Sequence, residues 1–594
     1  MILAPSTGNT RPIYISLAIL ALIAIIFIGY QDAPANGFHF DDNVNIVNHA
    51  PIRLDKLSLS GLIHAGQEAV LSSRPLPNIT FAIDWWRGGG EPSTFQWTNI
   101  TIHALTSLAI FALSSLIILQ FKGHLSNYNL WCVFLGTAFW AIHPIQIQGV
   151  TYIVQRMASM ATLFSILSVL SYLCGRLHPE KRIFWYSLCG LAMLCGGLSK
   201  ENAWITPLLL LLAEYGVCRH KKPLIQSHWD YFWLSLPILL GIYIIIDLTW
   251  GLLLSDYVQS GFAQRSFTLT ERLLTQPRVI LFHLSQVLWP LPGRFSIEHS
   301  FPISTGIFQP ASTILAISVM LLWIGAGICF LLSQKNRLWG FCLLWIPLTL
   351  AIESTFIPLE IIYEHRMYLP MVGISIILVL CLTSLPPHNR GRMLAANGAA
   401  SIFIALCLTF TMQRVPEWRN NLTLYESALI HAPNSTRNLG NLSLAYLDKG
   451  RLEDSAKIAR RALQIDPDNS FSLEALAIYH MELGNLKEAD RYFKRSAKNG
   501  TRDNLMNHWG ELMVLQGRYQ DALNMFSYAI KRTPWVSTYH WNIALTFERL
   551  DSCQMARAHW EKFLRLKSSA DDRQMVAAHI TEEHETSGGK CFRK

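Results

Sequence analysis

Two adjacent carboxylates, Asp41 and Asp42, follow the first long apolar run of the sequence, within the stretch FHFDDNVNIVN. A carboxylate can take the proton of an attacking hydroxyl group, so paired acids next to a membrane could supply a general base. Mutual repulsion also raises the pKa of one of two neighbouring carboxyls, which makes it a better base. Because aspartate is common in turns, the alternative is that the pair caps a short helix or marks a solvated turn.

Further charged and polar residues lie at the ends of other apolar runs. They are His143 and Arg156 in HPIQIQGVTYIVQR, Lys200 and Glu201 in LSKENAW, and Glu364, His365 and Arg366 in YEHRMYLP. Arginine and lysine bind phosphate oxygens. Basic side chains also reach from span ends to lipid headgroups, but this alternative does not explain the interleaved acids and histidines. The set therefore predicts one site, built from several loops, that transfers a sugar from a lipid phosphate to a hydroxyl group.

The elements that must position these residues are mostly apolar. Hydrophobic residues make up 51% of the 594 residues and charged residues 15%, which is too apolar for a soluble protein of several domains. Residues 12–30 carry no charge and can cross about 30 Å of hydrocarbon as a helix. A cleaved signal peptide is the alternative, because APA at 33–35 imitates a cleavage site. The apolar run is longer than the roughly 7 to 15 residues typical of such signals, so we predict that it is retained.

Ten further apolar runs bring the predicted number of spans to about eleven. They cover residues 97–119, 130–146, 157–175, 183–199, 203–217, 230–250, 310–332, 338–357, 367–385 and 394–412. Short loops rich in lysine and arginine mark the cytoplasmic side, at 175–182, 218–222, 333–337 and 386–392. This bias and the odd count predict a cytoplasmic N-terminus and an outer C-terminus, with residues 31–96 as the first outer loop.

The segment 272–291 is the exception among the apolar runs, because it contains Pro277, Arg278 and His283. If it crossed the membrane, the basic loop at 333–337 would face outward, against the positive-inside bias. We therefore predict a re-entrant or interfacial helix.

The C-terminal part repeats with a period of 33 to 34 residues. Gly450, Gly484, Gly517 and Asp551 are separated by 34, 33 and 34 residues, and aromatic and small residues keep the same step. This register is typical of tetratricopeptide repeats, in which paired helices stack and bind peptides along a concave face. The sequence predicts such repeats over 413–570, which would bind a protein acceptor or a partner, and a polar tail over 571–594.

The cysteines and the net charge exclude several other classes of protein. Nine of the 11 cysteines lie in or beside apolar segments, and no CxxC or metal-like spacing occurs, so the sequence predicts neither a disulfide framework nor zinc. The net charge of +9 resides largely in the short loops between spans, which argues against a nucleic-acid partner.

In its motifs the chain resembles the TMTC-type proteins, which join transmembrane helices to tetratricopeptide repeats and have a GT-C glycosyltransferase fold. The matching stretches run in family order: FHFDDNVNIVN (38–48), SSRPLPNITFAIDWW (72–86), FQWTNITIHALTSL (95–108), HPIQIQGVTYIVQR (143–156), LSKENAWITPLLLLLAEY (198–215), LFHLSQVLWP (281–290) and YEHRMYLP (363–370). The short loops and the YEHR form look like those of bacterial relatives of this family. The resemblance implies an all-α fold, with a polytopic GT-C helical bundle over 1–412 and the repeats as an α-solenoid.

The resemblance also implies roles for individual residues. An acid of the first outer loop, Asp41 or Asp42, would lie at the catalytic centre and deprotonate the acceptor in a single inverting displacement. The other expected contacts are Arg156, Lys200 and Arg366 to the lipid phosphate, and His143, Arg74, Glu201 and His365 to the donor. Animal members use polyprenyl-phosphate mannose and Ser or Thr acceptors. No cofactor is expected, because the outer side carries neither a DxD motif nor a clear ligand set, and a divalent metal stays an open alternative.

Two alternatives accompany this hypothesis. The chain could be an oligosaccharyltransferase or glycan ligase that uses a polyprenyl-diphosphate donor, or a non-enzymatic scaffold whose repeats organise an envelope complex. The expected location is the bacterial inner membrane, with the repeats in the periplasm. The expected partners are the lipid-linked sugar, a protein acceptor and membrane lipid.

Overall fold

A computed structural model describes residues 11–218, 256–263, 265–386, 389–566, 574 and 576–579. The predicted span at 230–250, most of the basic loop at 218–222 and nearly all of the polar tail lie outside these residues. Contacts divide the chain into two compact units, Met1–Asn420 and Asn421–Lys594. The regular elements of the described residues are helical apart from one isolated bridge between Gly306 and Gln309, so the predicted all-α class is confirmed.

The first unit contains fifteen described α-helices, and short 3-10 turns connect several of them. The helices are α1 (Arg11–Gly29), α2 (Leu59–Gln67), α3 (Pro75–Gly88), α4 (Pro92–Lys122), α5 (Asn127–Ala141), α6 (Ile147–Thr151), α7 (Arg156–Leu177), α8 (Arg182–Gly197), α9 (Thr206–Gly216), α10 (Asp256–Ala263), α11 (Leu269–Leu288), α12 (Ser312–Leu332), α13 (Arg337–Leu350), α14 (Met371–Thr383) and α15 (Arg390–Arg414).

Five of these helical segments are long and apolar enough to cross a membrane, and a bent pair of helices could form a sixth span. The five are Pro12–Ala35, Pro92–Lys122, Ile153–Leu177, Ser312–Leu332 and Arg390–Trp418, and the pair is Asn127–Ala141 with Pro144–Thr151, bent by 49°. The predicted count of about eleven is not confirmed for the described residues. Helices α8, α9, α13 and α14 have 16, 11, 14 and 13 residues, fewer than the roughly 20 that a straight span needs.

Helix α11 corresponds to the segment predicted to be re-entrant. Its N-terminus has a capping box, in which the Thr268 side chain accepts from the Glu271 backbone and the Glu271 carboxylate accepts from the Thr268 backbone. Arg272 is fully buried and donates to the backbone carbonyls of residues 353, 355, 359 and 360. Helix α11 thus holds in place residues 353–360, which lead into the YEHR stretch. The re-entrant placement of this helix in the membrane remains a prediction.

The second unit is an array of helix pairs. Its helices are α16 (Asn421–His431), α17 (Thr436–Leu447), α18 (Leu452–Ile465), α19 (Ser470–Glu482), α20 (Leu486–Lys498), α21 (Asp503–Leu515), α22 (Tyr519–Arg532), α23 (Ser537–Arg549) and α24 (Cys553–Leu566). The turn within each pair explains the repeat register, because Gly450, Gly484 and Gly517 have φ values of 70°, 75° and 71°. Glycine adopts this left-handed conformation without steric cost, and Asp551 takes the same place with a φ of 52°.

The cysteines differ in one respect from the expectation. Nine cysteines are free, all of them in the first unit, in agreement with the apolar surroundings expected from the sequence. Cys553 at the start of α24 is disulfide-bonded, a single bond that the sequence did not predict. Spacing gave no signal, because disulfide pairing depends on the approach of two side chains in space.

Candidate active site

Asp42 is buried at the start of the short helix Asn43–Val47 and ties two loops together. One carboxylate oxygen accepts the backbone N–H of His39 at 2.9 Å, and the other accepts that of Val154 at 2.7 Å. Burial raises the pKa of Asp42 to about 8, although the two N–H donors lower it. The carboxyl therefore connects the FHFDDNVNIVN stretch to the HPIQIQGVTYIVQR stretch and is enclosed by protein.

The side chain of Asp41, unlike that of Asp42, is exposed to solvent. The backbone N–H of Asp41 donates to the Tyr152 hydroxyl at 3.0 Å and its carbonyl accepts from Asn45 at 2.8 Å. The preceding residue, Phe40, has a φ of 42°, a left-handed conformation that a non-glycine residue adopts only at a cost of about 1 to 3 kcal/mol. The backbone of Asp41 is thus fixed while its carboxylate stays accessible.

The segment that follows α15 contacts the FHFDDNVNIVN stretch and Asn36 from the other side. His39 donates to the Trp418 carbonyl at 2.6 Å, and Asn36 donates to the Val415 carbonyl at 3.0 Å. The rings of Tyr152 and Trp418 lie 5.5 Å apart. Asp41 consequently sits on a loop that is packed against both the 143–156 stretch and the end of α15.

Arg156 lies in a buried ion pair. Its guanidinium is 2.6 Å from the Asp84 carboxylate on α3, and both side chains are almost fully buried. It also donates to Asn99 at 2.7 Å, to Thr80 at 3.1 Å and to the Phe95 carbonyl at 3.0 Å. The pair joins α3, α4 and α7 directly behind the loop that carries Val154. The sequence analysis did not identify Asp84. The feature that could have indicated it is that Asp84 is the single charged residue in the run LPNITFAIDWW.

Lys200 and Glu201 each have a partner of opposite charge. The buried Lys200 ammonium lies 2.5 Å from the Glu353 carboxylate, a residue that sequence reasoning missed. Arg74 reaches both oxygens of Glu201, with distances of 2.7 to 3.1 Å, and the Ser73 hydroxyl donates to the same carboxylate. Burial raises the pKa of Glu201, but the charge and hydrogen bonds of Arg74 outweigh it and hold the pKa at about 2.

Arg366, like Arg272, is a buried cation that forms no ion pair with an acidic side chain of the described residues. It donates to the backbone carbonyls of Ile361 at 3.0 Å and Glu360 at 2.6 Å, and its buried Nε has no hydrogen-bond partner. Its guanidinium lies 5.6 Å from the Tyr363 ring centre. An unsatisfied buried guanidinium N–H is costly, so a ligand that accepts it would stabilise the site.

His365 and His143 use their rings in different ways. His365 stacks on Tyr363 at 5.1 Å and donates to Gln148 at 3.3 Å. Burial and the nearby charges of Lys200, Arg366 and Arg74 lower the pKa of His365 well below its ordinary value, so the ring is neutral. His143 donates to the Val287 carbonyl at 3.1 Å and accepts from the Ile145 backbone N–H at 3.1 Å. Both of its ring nitrogens are therefore engaged in contacts with the backbone.

The structure therefore brings the predicted residues into two neighbouring groups. Arg74, Lys200 and Arg366 form a cationic group whose charges influence one another, and the neutral ring of His365 lies within electrostatic range of all three. Asp41, Asp42 and Arg156 belong to the second group, and the Tyr152 hydroxyl lies within electrostatic range of Asp41, Asp42 and Tyr363. No group of three or more His, Cys, Asp or Glu side chains in the described part of the chain is arranged to hold a metal ion.

Comparison with known proteins gives matches along most of the chain. A Tetratricopeptide repeat family model matches residues 436–469. The Protein O-mannosyl-transferase F38B6.6 of Caenorhabditis elegans is 21% identical over 465 residues, covering 76% of this chain and 63% of the relative. Protein O-mannosyl-transferase TMTC4 of Homo sapiens is 24% identical over 491 residues, covering 74% of this chain and 64% of the relative.

The chain is similar in sequence to TMTC protein O-mannosyl-transferases. The chain spans less than two thirds of the length of the two relatives just described. Among solved structures, MamA is 18% identical and covers 25% of this chain and 86% of its own, with a TM-score of 0.22. The predicted family resemblance and the predicted tetratricopeptide repeats are confirmed.

Proposed function

We propose that this chain is a membrane protein O-glycosyltransferase that moves a single hexose, such as mannose, from a polyprenyl phosphate to Ser or Thr hydroxyls of proteins. The acceptor hydroxyl loses its proton to an aspartate and attacks the anomeric carbon. The bond from that carbon to the phosphate oxygen breaks, and polyprenyl phosphate leaves with the electron pair. The configuration at the anomeric carbon inverts in this single displacement.

The observation that carries the proposal is the contrast between the paired acids. Asp41 is exposed on a loop whose backbone is fixed, whereas both oxygens of buried Asp42 accept backbone N–H groups. A general base must reach the hydroxyl proton of its substrate. We therefore assign the base to Asp41, and Asp42 becomes a positioning residue that holds the loop.

The cationic group provides a place for the lipid phosphate. Arg366 has a buried N–H without a partner, and it lies near Lys200 and Arg74. An arginine fork binds phosphate oxygens through two N–H groups and stabilises the negative charge that grows as the phosphate leaves. In this proposal Arg366 contacts the phosphate, while Lys200 and Arg74 contribute after exchanging part of their contact with Glu353 and Glu201. His365 is neutral and gives its one ring N–H to Gln148, so its other ring nitrogen accepts a hydrogen bond from a hydroxyl group of the sugar donor.

The repeats and the location complete the proposal. The tetratricopeptide array binds the protein acceptor along its concave face. The chain resides in a bacterial inner membrane with the array in the periplasm, a compartment in which disulfides such as that of Cys553 persist.

The test is sugar transfer by the purified full-length chain in detergent, followed by mass analysis of the acceptor. Asp41→Asn should lower the rate about 100-fold or more, because general-base catalysis typically supplies this much. Asp55→Asn is the matched control, since Asp55 is an exposed acid of the same loop, and it should leave the rate unchanged. Equal activity of both variants would refute the role of Asp41.

The same assay separates the two alternatives. It is run with a polyprenyl-phosphate hexose and, separately, with a polyprenyl-diphosphate oligosaccharide. Addition of one hexose from the monophosphate supports the proposal, whereas transfer of an oligosaccharide only from the diphosphate identifies an oligosaccharyltransferase. Absence of transfer from both donors, with bound acceptor, identifies a scaffold.

A further inference from the structure

A cavity of about 280 Å3 opens in the first unit, where α15 begins beside α5. It is lined by Tyr128, Trp131, Arg390, Met393, Leu394 and Asn397. We call it the α5–α15 groove. None of the residues assigned above to sugar transfer lines it.

The walls of the groove are apolar and partly open. Trp131 and Leu394 are 44% and 75% exposed. The Tyr128 hydroxyl donates to the Leu382 carbonyl at 2.9 Å and accepts from Asn397 at 3.2 Å, which ties α5, α14 and α15 together. The groove is therefore a fixed feature between three helices.

One polar atom of the groove lacks a partner. The side-chain nitrogen of Asn397 donates to Tyr128 and to the Met393 carbonyl, but its buried oxygen accepts no hydrogen bond. A buried acceptor without a donor costs about 1 to 3 kcal/mol. An occupant that offers a hydroxyl group would satisfy it.

The charge of the groove is positive and uncompensated. Arg390 is exposed, and no carboxylate of the described residues pairs with it. The two segments that line the groove contain no acid, because the sequence has none between Glu91 and Glu180 or between Glu364 and Glu417. An anionic ligand is the complement of this surface.

The position of the groove identifies the kind of anion. Arg390 is the first residue of the candidate span Arg390–Trp418, so it lies at a membrane surface. Tyr128 and Trp131 are of the residue types that concentrate at the headgroup level. Basic pockets between transmembrane helices at this level bind the headgroups of anionic lipids.

We propose that the α5–α15 groove binds an anionic phospholipid with a hydroxylated headgroup, of the phosphatidylglycerol class. Its phosphate lies on Arg390, a headgroup hydroxyl donates toward Asn397, and an acyl chain follows Trp131 and Leu394. This binding is independent of sugar transfer.

The experiment measures lipid binding by native mass spectrometry of the full-length chain in detergent. The probes are phosphatidylglycerol, phosphatidylcholine with the same acyl chains, and glycerol phosphate, which has the headgroup without the chains. Phosphatidylglycerol should bind at least about fivefold more tightly than phosphatidylcholine or glycerol phosphate. Arg390→Gln should weaken the binding of phosphatidylglycerol by about fivefold. Arg392→Gln is the matched control, because Arg392 is exposed on the same helix but does not line the groove, and it should change binding less than about twofold.

Three outcomes would overturn the proposal. Equal binding of phosphatidylcholine would indicate ordinary annular lipid, and equal losses in Arg390→Gln and Arg392→Gln would indicate general attraction to surface charge. Displacement of phosphatidylglycerol by a tighter-binding polyprenyl phosphate would assign the groove to the donor lipid.

Discussion

At the scale of the residue, two consecutive aspartates have different environments. Asp41 is exposed, whereas Asp42 is buried and bonded to the backbone of Val154, 112 residues further along the chain. The sequence predicted a base at one of the two acids but could not distinguish them. The reason is physical, because the burial of Asp42 depends on a partner that no local pattern reveals.

The raised pKa of Asp42 predicts a pH-dependent contribution to stability. The unfolded carboxyl loses its proton near pH 4, while the folded one keeps it up to about pH 8. The folded state thus binds the extra proton between these values, so the stabilisation is complete below pH 4 and declines as the pH rises through 8. Asp42→Asn should therefore lower Tm most at the acidic end of this window.

The measurement is the Tm difference between the wild type and Asp42→Asn in detergent, taken from pH 5 to pH 8. The difference should shrink as the pH rises. Glu201→Gln is the control, because the folded and unfolded pKa values of Glu201 both lie below this range and its Tm difference should stay constant. A constant difference for Asp42→Asn would show that its pKa is not raised.

At the scale of the element, the ion pair of Asp84 and Arg156 holds α3, α4 and α7 together. Replacing one partner leaves the other charge buried and uncompensated, which costs about 3 to 5 kcal/mol, whereas apolar residues at both positions are tolerated far better. We expect Asp84→Leu alone to lose most folded protein and Asp84→Leu with Arg156→Met to recover it. Yield of monodisperse protein and Tm are the measurements.

The same double variant tests the predicted contact of Arg156 with the lipid phosphate. If Arg156 only positions the loop, the folded double variant should bind the lipid-linked sugar with wild-type affinity. A folded double variant that no longer binds the donor would instead place Arg156 at the phosphate.

The elements themselves differ in how far the sequence predicted them. Apolar runs and the 33 to 34 residue register predicted helices and repeats, since both signals are local. The predicted count of about eleven spans is not confirmed, because only five or six of the described helical segments are long and apolar enough to cross a membrane. Glu353 and Trp418, which hold Lys200 and His39, were missed because they lie far along the chain from their partners.

At the scale of the whole molecule, the topology predicted from the loop charges is open to direct measurement. A reporter that is active only outside the cytoplasm should work when fused after Asn420, and one active only inside should work at Asn336. Fusion at both sites to both reporters gives the internal control. The opposite pattern would mean that one more or one fewer segment crosses the membrane than expected, with residues 272–291 as the first candidate.

The boundary of the first unit makes a truncation informative. Residues 415–419 contact Asn36, Gly37 and His39 within the first unit. A chain that ends at Asn420 should keep binding of the lipid-linked sugar and transfer to a short peptide, with a raised KM for the full protein acceptor. A chain that ends at Arg414 should lose transfer to both acceptors, because the loop that carries Asp41 loses its support.

The comparison is made at equal amounts of folded protein, judged by size-exclusion profile. If both truncations behave alike, residues 415–419 do not support the loop. If the chain ending at Asn420 also loses donor binding, the array participates in the donor site.

The backbone contacts of Trp418 and Arg419 also restrict how such chains can recombine. A chimaera that receives a foreign repeat array must accept it after Asn420, since a crossover even five residues earlier would exchange part of the support for Asp41 along with the array. The repeat array is thus replaceable in evolution or by design, but the junction lies several residues beyond the end of the predicted apolar span 394–412, at a place that hydropathy alone would not select.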